Sequence, residues 1–373
     1  MPNAKECLVF RVAMNHPGDT EAVEALIDKG QVEAADIVAI FGKTEGNGCV
    51  NDFTRPFAVE ALKTALAPRL GVSRAAVAER IPLVMSGGTE GALSPHFLVF
   101  AVRSAAPPVP RGGAKRLAIG TAPTRDFRAG EIGRLPQIEE TAAAVRRAIA
   151  QAGIAGPDDV HFVQIKCPLI TAERYAAALA EGARPATHDT YASMGLSRGA
   201  SALGVALALG EIAAEAVNDE VVCRDFGLWS GRASASAGIE MAHNEIIVLG
   251  NSAEWAGDLV VGHAVMEDAL DLAAVAGALH LVGITPGRQL TPVQRDRIAA
   301  VLVKAETSSD GRLRGNRHTM LDDSDIPATR HARAFVGGAV AGLIGRTDLF
   351  VSGGAEHQGP DGGGPVAIIA AAT

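Results

Sequence analysis

The chain has 373 residues, 48% hydrophobic and 20% charged, which is ample for a buried core and excludes the polar, charge-rich composition of disordered chains. A net charge of −8 with no Lys/Arg stripe argues against nucleic acid as a partner, while local arginines remain free to shape a pocket for a small polar ligand. The N-terminal Met1-Pro2-Asn3-Ala4-Lys5-Glu6 lacks an apolar stretch of signal-peptide length, and no run approaches the roughly 18 apolar residues that span a bilayer, so a cytoplasmic protein without a membrane partner is expected.

In chain order, Cys7–Met14 reads as a strand, Asp19–Lys29 as a short helix, and Ile37–Gly42 as a buried strand that delivers Lys43. Asn51–Arg55 leads into a helix through about Leu70, Ile81–Met85 is a strand delivering Ser86, and Phe97–Arg103 is the return strand. The Pro- and Gly-rich stretch 105–113 reads as a linker. The order then recurs: strand Arg116–Gly120, helix Ile138–Ala152, strand His161–Ile165 ending at Lys166, Arg198 at the start of a helix Gly199–Leu209, Ser236, and strand Glu245–Gly250. After a second connection, 251–257, a third pass has strand Leu259–Val265, helix Glu267–Leu281, and strand Ile298–Val303 delivering Lys304. Arg330 opens the next helix, Leu349–Val351 delivers Ser352, and Pro365–Ala372 closes the pass. Four widely spaced cysteines, with no C-x-x-C pair, read as free thiols.

What recurs is a serine motif, S-x-G-x-E, at Ser86–Glu90, Ser236–Glu240 and Ser352–Glu356, each preceded by a strand-end Lys and then an Arg. Lys and Ser are 43, 70 and 48 residues apart in the three passes, a variation that surface insertions absorb cheaply. These passes are too long for solenoid repeats, so the chain is expected to form three similar α/β units, 1–104, 114–250 and 258–373. A closed arrangement would bring matching strand ends together at a pseudo-threefold axis.

Serine becomes a nucleophile when a neighbour takes its proton, and none of the ten His residues recurs in step with the motif. Lysine can serve once burial or nearby positive charge lowers its pKa. Lys43, Lys166 and Lys304 are therefore candidate bases, and Arg55, Arg198 and Arg330 candidate forks for carbonyl oxygens. Backbone N–H groups at Gly87, Ala237 and Gly353 are candidate donors to the same oxygens. Three equivalent sets suit a small ligand of near-threefold symmetry. Lys43 is followed at i+2 by Glu45 and Lys304 by Glu306, and on a strand those positions share a face. Lys166 has Cys167-Pro168 instead, so it is expected to be the lysine without a carboxylate partner. Gly42-Lys43-Thr44 resembles the end of a P-loop but lacks the required Gly at position 37, and no His/carboxylate set suits zinc. The run Gly359–Gly364 could line a hard-cation site with carbonyls, or could be a plain Gly-rich turn.

Gly42–Asp52 (GKTEGNGCVND), Met85–Gly91 (MSGGTEG), Arg317–Leu321 (RHTML) and Ser352–Pro365 (SGGAEHQGPDGGGP) closely resemble the cyanuric acid amidohydrolase/barbiturase family, over essentially the whole chain. The resemblance implies three repeat units about a pseudo-threefold axis (the Toblerone-type fold), an active site at that axis, and a homotetramer. It implies hydrolytic opening of a cyclic imide by Ser-Lys chemistry: cyanuric acid to carboxybiuret and then biuret, or, in the close relative, barbituric acid to ureidomalonate. A cyclic-imide binder without turnover is the rival from another class. Carried over by position, Ser236 is the nucleophile and Lys166 its base. Lys43, Ser86, Gly87, Arg55, Arg198, Ala237, Lys304, Arg330, Ser352 and Gly353 then hold the substrate, together with Ser236 itself. No cofactor is implied for the chemistry. A structural Mg²⁺ or Ca²⁺ is implied at Glu306, Ala355, Gln358, Gly359, Pro360 and Gly363.

Overall fold

The computed structural model describes residues 4–105 and 114–372, so most of the expected linker, 106–113, lies outside the described residues. The first part of the chain forms β1 (Ala4–Ala13), α1 (Glu21–Asp28), β2 (Ile37–Thr44), α2 (Thr54–Leu70), α3 (Arg74–Arg80), β3 (Leu83–Gly87) and β4 (His96–Ala105). The second forms β5 (Arg116–Pro123), α4 (Leu135–Gln151), β6 (Val160–Cys167), α5 (Ala172–Ala180), α6 (Thr190–Leu209), β7 (Ala233–Ala237) and β8 (Glu245–Ser252), followed by the two-residue β9 (Trp255–Ala256). The third forms β10 (Leu259–Met266), α7 (Leu272–Leu281), α8 (Pro292–Asp296) and β11 (Ile298–Ala305). It continues with the short pair β12 (Arg312–Leu313) and β13 (Asn316–Arg317), then α9 (Ala328–Ile344), β14 (Phe350–Gly353) and β15 (Gly364–Ala371).

Three main sheets result, ordered β3-β2-β4-β1-β9, β7-β6-β8-β5 and β14-β11-β15-β10, with the same succession in their first four strands. In every sheet the strand that comes second in chain order (β2, β6, β11) runs parallel to one neighbour (β3, β7, β14) and antiparallel to the other (β4, β8, β15). A register shift recurs at the start of that second strand, at Ile37/Ala39, Val160/Phe162 and Ile298/Ala300. The mixed α/β architecture expected from the sequence is therefore present, with one strand order repeated in three sheets.

Alternation along the strands sorts side chains between two environments. On β4, Phe97, Val99 and Ala101 pack outward with Leu62 and Leu66 of α2, while Leu98 and Phe100 enter a core shared by all three sheets. On β15, Val366, Ile368 and Ala370 meet α7 and α9, while Ala367 and Ile369 turn into the shared core. Phe41 of β2 sits in that core with its ring 4.7 Å from Phe100 and 5.7 Å from Phe350 of the third sheet.

Several boundaries differ from the sequence reading. Helix α6 begins at Thr190, so Arg198 lies in mid-helix rather than at its start; Asp189 caps it by accepting from the Tyr191 and Ala192 N–H groups. The glycines and serines of its first half have modest helix propensity, and packing overrides them. At Gly204 a β-carbon would lie 2.6 Å from the Ile138 carbonyl oxygen, which shows how closely α4 approaches. The same helix is long and apolar enough to cross a membrane by length and composition, contrary to expectation, yet most of it is buried in the protein. Helix α7 starts only at Leu272, where Asp271 accepts from the Ala274 N–H. The expected free connection 251–257 instead carries β9, which pairs in parallel with β1 at Lys5 and Glu6. All four cysteines are free.

Candidate active site

The alternation that builds the core also aims the site residues. Lys43 follows Ala39 and Phe41 on the inner face of β2, Ser86 follows Val84 on β3, Lys304 follows Leu302 on β11, and Ser352 follows Phe350 on β14. The pairings Lys43↔Ser86, Lys166↔Ser236 and Lys304↔Ser352 occupy matching registers in the three sheets. The three lysines are 0%, 1% and 0% exposed. The three serines meet at one place: Ser86 Oγ donates to Ser352 Oγ at 3.3 Å, and Ser236 Oγ lies 3.0 Å from the same atom.

Lys43 Nζ donates to Ser86 Oγ at 3.2 Å and to the Gly87 carbonyl at 3.3 Å. Lys304 Nζ repeats this with Ser352 Oγ and the Gly353 carbonyl, both at 3.2 Å, and adds the Ala235 carbonyl at 2.5 Å. Lys166 differs. Its Nζ donates to the Met85 carbonyl at 2.9 Å and lies 3.1 Å from Glu240 Oε1, and among the described residues it makes no hydrogen bond to Ser236. The contacts that the structure shows for Gly87, Ala237 and Gly353 at the site run through their carbonyls; Ala237 accepts from Arg55 at 3.3 Å.

Each serine motif ends in a glutamate, and each of the three pairs with a buried cation. Glu356 is held by Arg198 through two hydrogen bonds of 2.8 and 2.6 Å, and Glu90 by Arg333 through two of the same lengths. The central glycine of the motif explains why these guanidinium groups fit. Gly354 and Gly88 adopt φ of +78° and +102°, and a β-carbon there would lie 2.5 Å from Arg198 and Arg333 respectively. Arg55 takes a different course, donating to the carbonyls of Cys49 at 2.7 Å and Ala237 at 3.3 Å, which leaves Glu240 to Lys166. Contacts thus pass cyclically. The first part's Arg55 reaches the second part's loop, the second part's Arg198 reaches the third part's, and the third part's Arg333 reaches the first part's.

Two expectations are corrected here. The arginine matching Arg198 is Arg333, not Arg330. Arg330 sits in the first turn of α9 with its side chain 35% exposed and reaches Glu90 with a single bond of 3.1 Å, whereas the Arg333 side chain is 4% exposed. The signal was present: Arg198 and Arg333 both lie twelve residues before a helix-ending glycine, Gly210 and Gly345. Second, Lys166 does not lack a carboxylate. Glu45 is exposed because β2 ends at Thr44, so the strand-face argument fails for it, while the folded loop after β7 brings Glu240 onto Lys166.

Burial depresses all three amines. Lys43 falls well below the usual lysine range, with Arg333 adding to the effect, and Lys304 falls to about 7, with Arg198 adding. Lys166 is lowered by burial too, against the opposing pull of Glu240. Burial acts to raise Glu356, but Arg198 overrules it and holds the carboxyl at about 2. Proton affinity alone therefore does not distinguish Lys166; its partner does.

Among the described residues no three His, Cys, Asp or Glu side chains cluster as metal ligands. Glu306 is nonetheless a carboxyl that a cation would suit, because burial and the neighbouring Glu356 push it up to about 7. It borders a cavity of about 220 Å³ that also touches Asp361 and Gly362 of the glycine-rich loop. In that loop the Ala355 and Pro360 carbonyls accept from Gln358 and Gly363 N–H, both at 2.9 Å. The Gln358 side-chain oxygen accepts from the Ala235 N–H at 2.7 Å. A desolvated carboxylate beside a carbonyl-rich loop matches the donor chemistry of a hard cation.

The profile of the family described as amidohydrolase ring-opening protein matches residues 8–371. A cyanuric acid amidohydrolase of Azorhizobium caulinodans is 56% identical over 373 residues, covering 100% of this chain and 99% of the relative. One of Enterobacter cloacae is 54% identical over 363 residues, 97% and 98% of the two chains. A solved cyanuric acid hydrolase structure superposes with a TM-score of 0.95 at 52% identity, covering 99% of this chain and 100% of that one. The solved A. caulinodans enzyme superposes with a TM-score of 0.91 at 55% identity, covering 99% of both. The chain belongs to the family of ring-opening amidohydrolases, hydrolases that act on the C–N bonds of cyclic amides.

Proposed function

We propose that the chain is a cyanuric acid amidohydrolase that opens its substrate to carboxybiuret, which decarboxylates to biuret. The convergence of three serine hydroxyls from three sheets, each with a buried lysine opposite in register, carries this reading. We read the three sheets as repeat units about a pseudo-threefold axis, a Toblerone-type fold, with the ring lying at the axis. The repeated strand order and the cyclic arginine contacts support that closure. Cyanuric acid has the same symmetry, three equivalent carbonyls and three ring nitrogens.

In this reading Lys166, as the neutral amine, takes the proton of Ser236, and Ser236 Oγ attacks a ring carbonyl. Arg55, Arg198 and Arg333 hold the carbonyl oxygens, and backbone donors at Gly87, Ala237 and Gly353 stabilise the charge that develops on them. The tetrahedral adduct collapses, the ring nitrogen departs with the proton held by Lys166, and water then hydrolyses the acyl-enzyme. Ser86 and Ser352, whose hydroxyls accept from Lys43 and Lys304, grip the ring rather than attack it. The middle unit is set apart because its lysine is backed by a carboxylate, an arrangement that follows the nucleophile–base–acid logic of catalytic triads.

A hard cation, Mg²⁺ or Ca²⁺, would be held by Glu306 and by Ala355, Gln358, Gly359, Pro360 and Gly363. Its contribution is structural: neutralising Glu306 and fixing the loop that carries Glu356. A homotetramer belongs to the same reading and is checked by sedimentation.

Side-by-side assay of cyanuric and barbituric acids, with biuret and CO₂ as readouts, tests the substrate. Preference for barbituric acid would make the chain a barbiturase, and binding without turnover would remove the catalytic reading. Ser236→Ala is expected to abolish turnover while the fold persists. Near-normal activity in Ser236→Ala, with loss in Ser86→Ala, would overturn the assignment of the nucleophile.

A further inference from the structure

A cavity of about 650 Å³ lies between the first and second units, and the steps above do not use it. None of the three serines or three lysines of the site lines it; its walls include Lys63 of α2, Ala78 of α3, Leu83 of β3 and the segment carrying Glu240 and Glu245. These two glutamates flank Lys166. Glu240 Oε1 is 3.1 Å from its amine, and Glu245 on β8 is directly opposite Lys166 on β6. In the first sheet the residue opposite Lys43 is His96. Apart from the Lys166 amine beside Oε1, neither buried Glu240 carboxylate oxygen has a hydrogen-bond partner among the described residues, which leaves Oε2 free to take a proton.

We propose that this cavity is the proton port of Lys166, with Glu240 passing protons between the amine and cavity water and Glu245 setting the charge against which that exchange runs. The inference rests on Lys166 being the base for Ser236. In the resting ion pair the Lys166 ammonium gives one proton to Glu240, leaving a neutral amine and a carboxylic acid, and the acid passes that proton to water. During acylation Lys166 takes the Ser236 proton and returns it to the departing ring nitrogen, so no net proton moves. Deacylation consumes one water, restores the Ser236 hydroxyl and yields an acid that ionises. The one proton released per turnover leaves by the same route, away from the bound ring. Both glutamates act through Lys166 and are positioning residues.

Glu245 is faced by Lys166 from β6, Glu240 from the loop after β7, Lys63 from α2 and the Leu83 backbone from β3. Lys63 in turn pairs with Glu60 at 3.0 Å, and Arg125, Asp126 and His243 also line the cavity. Arg55 and Cys167 are the further ionisable groups acting on Lys166. Burial pushes Glu245 up to about 7, so its charge changes in the neutral range.

The test uses the full chain with steady-state kinetics, pH profiles and a melting curve for every variant. Glu240→Gln is expected to lower kcat about 100-fold with KM within about twofold, and formate, small enough to enter the cavity, to restore part of the rate. Ala78→Trp fills the cavity from α3 and is expected to lower kcat severalfold alone and to abolish formate rescue in the double variant. Glu245→Gln removes a negative charge opposite the amine, so the acidic limb of kcat moves down by about one pH unit. Native kcat in Glu240→Gln, rescue that persists behind Ala78→Trp, or an unmoved pH profile in Glu245→Gln each overturns the port. Should Glu240→Gln fail to fold, the Ala78→Trp and Glu245→Gln profiles still decide it. Ser236→Ala separates the two readings: if it is inactive while Glu240→Gln is normal, the port alone fails; if it is active, the function assigned above fails.

Discussion

The middle unit and its two neighbours use the same residue types in different pairings. In the first and third units the lysine donates to the serine of its own sheet, and the motif glutamate is locked by an arginine from another unit. The arginine that reaches the middle unit, Arg55 of the first, is spent on backbone carbonyls, so Glu240 falls to Lys166, and Lys166 leaves its serine without a hydrogen bond. In two of the three units the lysine is a fixed donor to its serine. The third holds an amine with a carboxylate behind it and a hydroxyl in front. On the function proposed above, the repeated plan would supply the binding geometry and the chemistry would reside where that plan is broken.

The comparison breaks most sharply by mutation of the lysines and serines. Lys166→Ala and Ser236→Ala should each lower kcat by about 10³-fold or more, whereas Ser86→Ala and Ser352→Ala should cost about 10- to 100-fold, mainly in KM. Equal losses at all three serines would erase the distinction. Next come the arginines, followed by denaturant unfolding. Arg198→Ala strands the half-buried Glu356 and should cost about 3 kcal/mol, Arg333→Ala leaves Glu90 only its single bond to Arg330 and should cost about 2–3 kcal/mol, and Arg55→Ala, whose partners are carbonyls, should cost about 1–3 kcal/mol. Arg330→Ala, half-exposed and singly bonded, should change stability by about 1 kcal/mol or less.

A further effect concerns pH and stability. The Glu245 carboxyl is raised from 4.5 to about 7 in the folded protein. A raised carboxyl contributes stability that is fully present below its unfolded pKa and is lost as pH rises through the folded value. Glu245→Gln never ionises, so its stability relative to the parent should grow between those two values, by on the order of 2 kcal/mol, and level off above. A difference that stays flat across that interval would mean Glu245 is not held neutral by its surroundings.

Much of this was legible in the residues because strand alternation is local. Reading Lys43, Lys166 and Lys304 at strand ends, and Ser86, Ser236 and Ser352 after strands, was enough to pair them, and the sheets place each pair in register. What escaped was decided by segments that fold back. Glu240 lies beyond the end of β7, and nothing in its spacing to Lys166 announces the contact. Arg333 was hidden behind Arg330 because both lie near the start of α9; the spacing to Gly345 separates them in the sequence, and packing against Gly88 and Glu90 separates them in the fold. The i+2 argument for Glu45 failed for the complementary reason: it assumed a strand one residue longer than the one that forms.

The serine cluster includes a contact between Ser86 and Ser352, residues 266 positions apart in the chain. Topologically the site is therefore among the last things the chain can make. Loop closure on that scale is slow, and no unit holds a complete set of contacts in advance of the others. A nascent chain halted before Ser352 would carry two lysine–serine pairs and no serine cluster. The serine cluster thus forms only once all three sheets have docked, because Ser352 of the third touches both Ser86 of the first and Ser236 of the second.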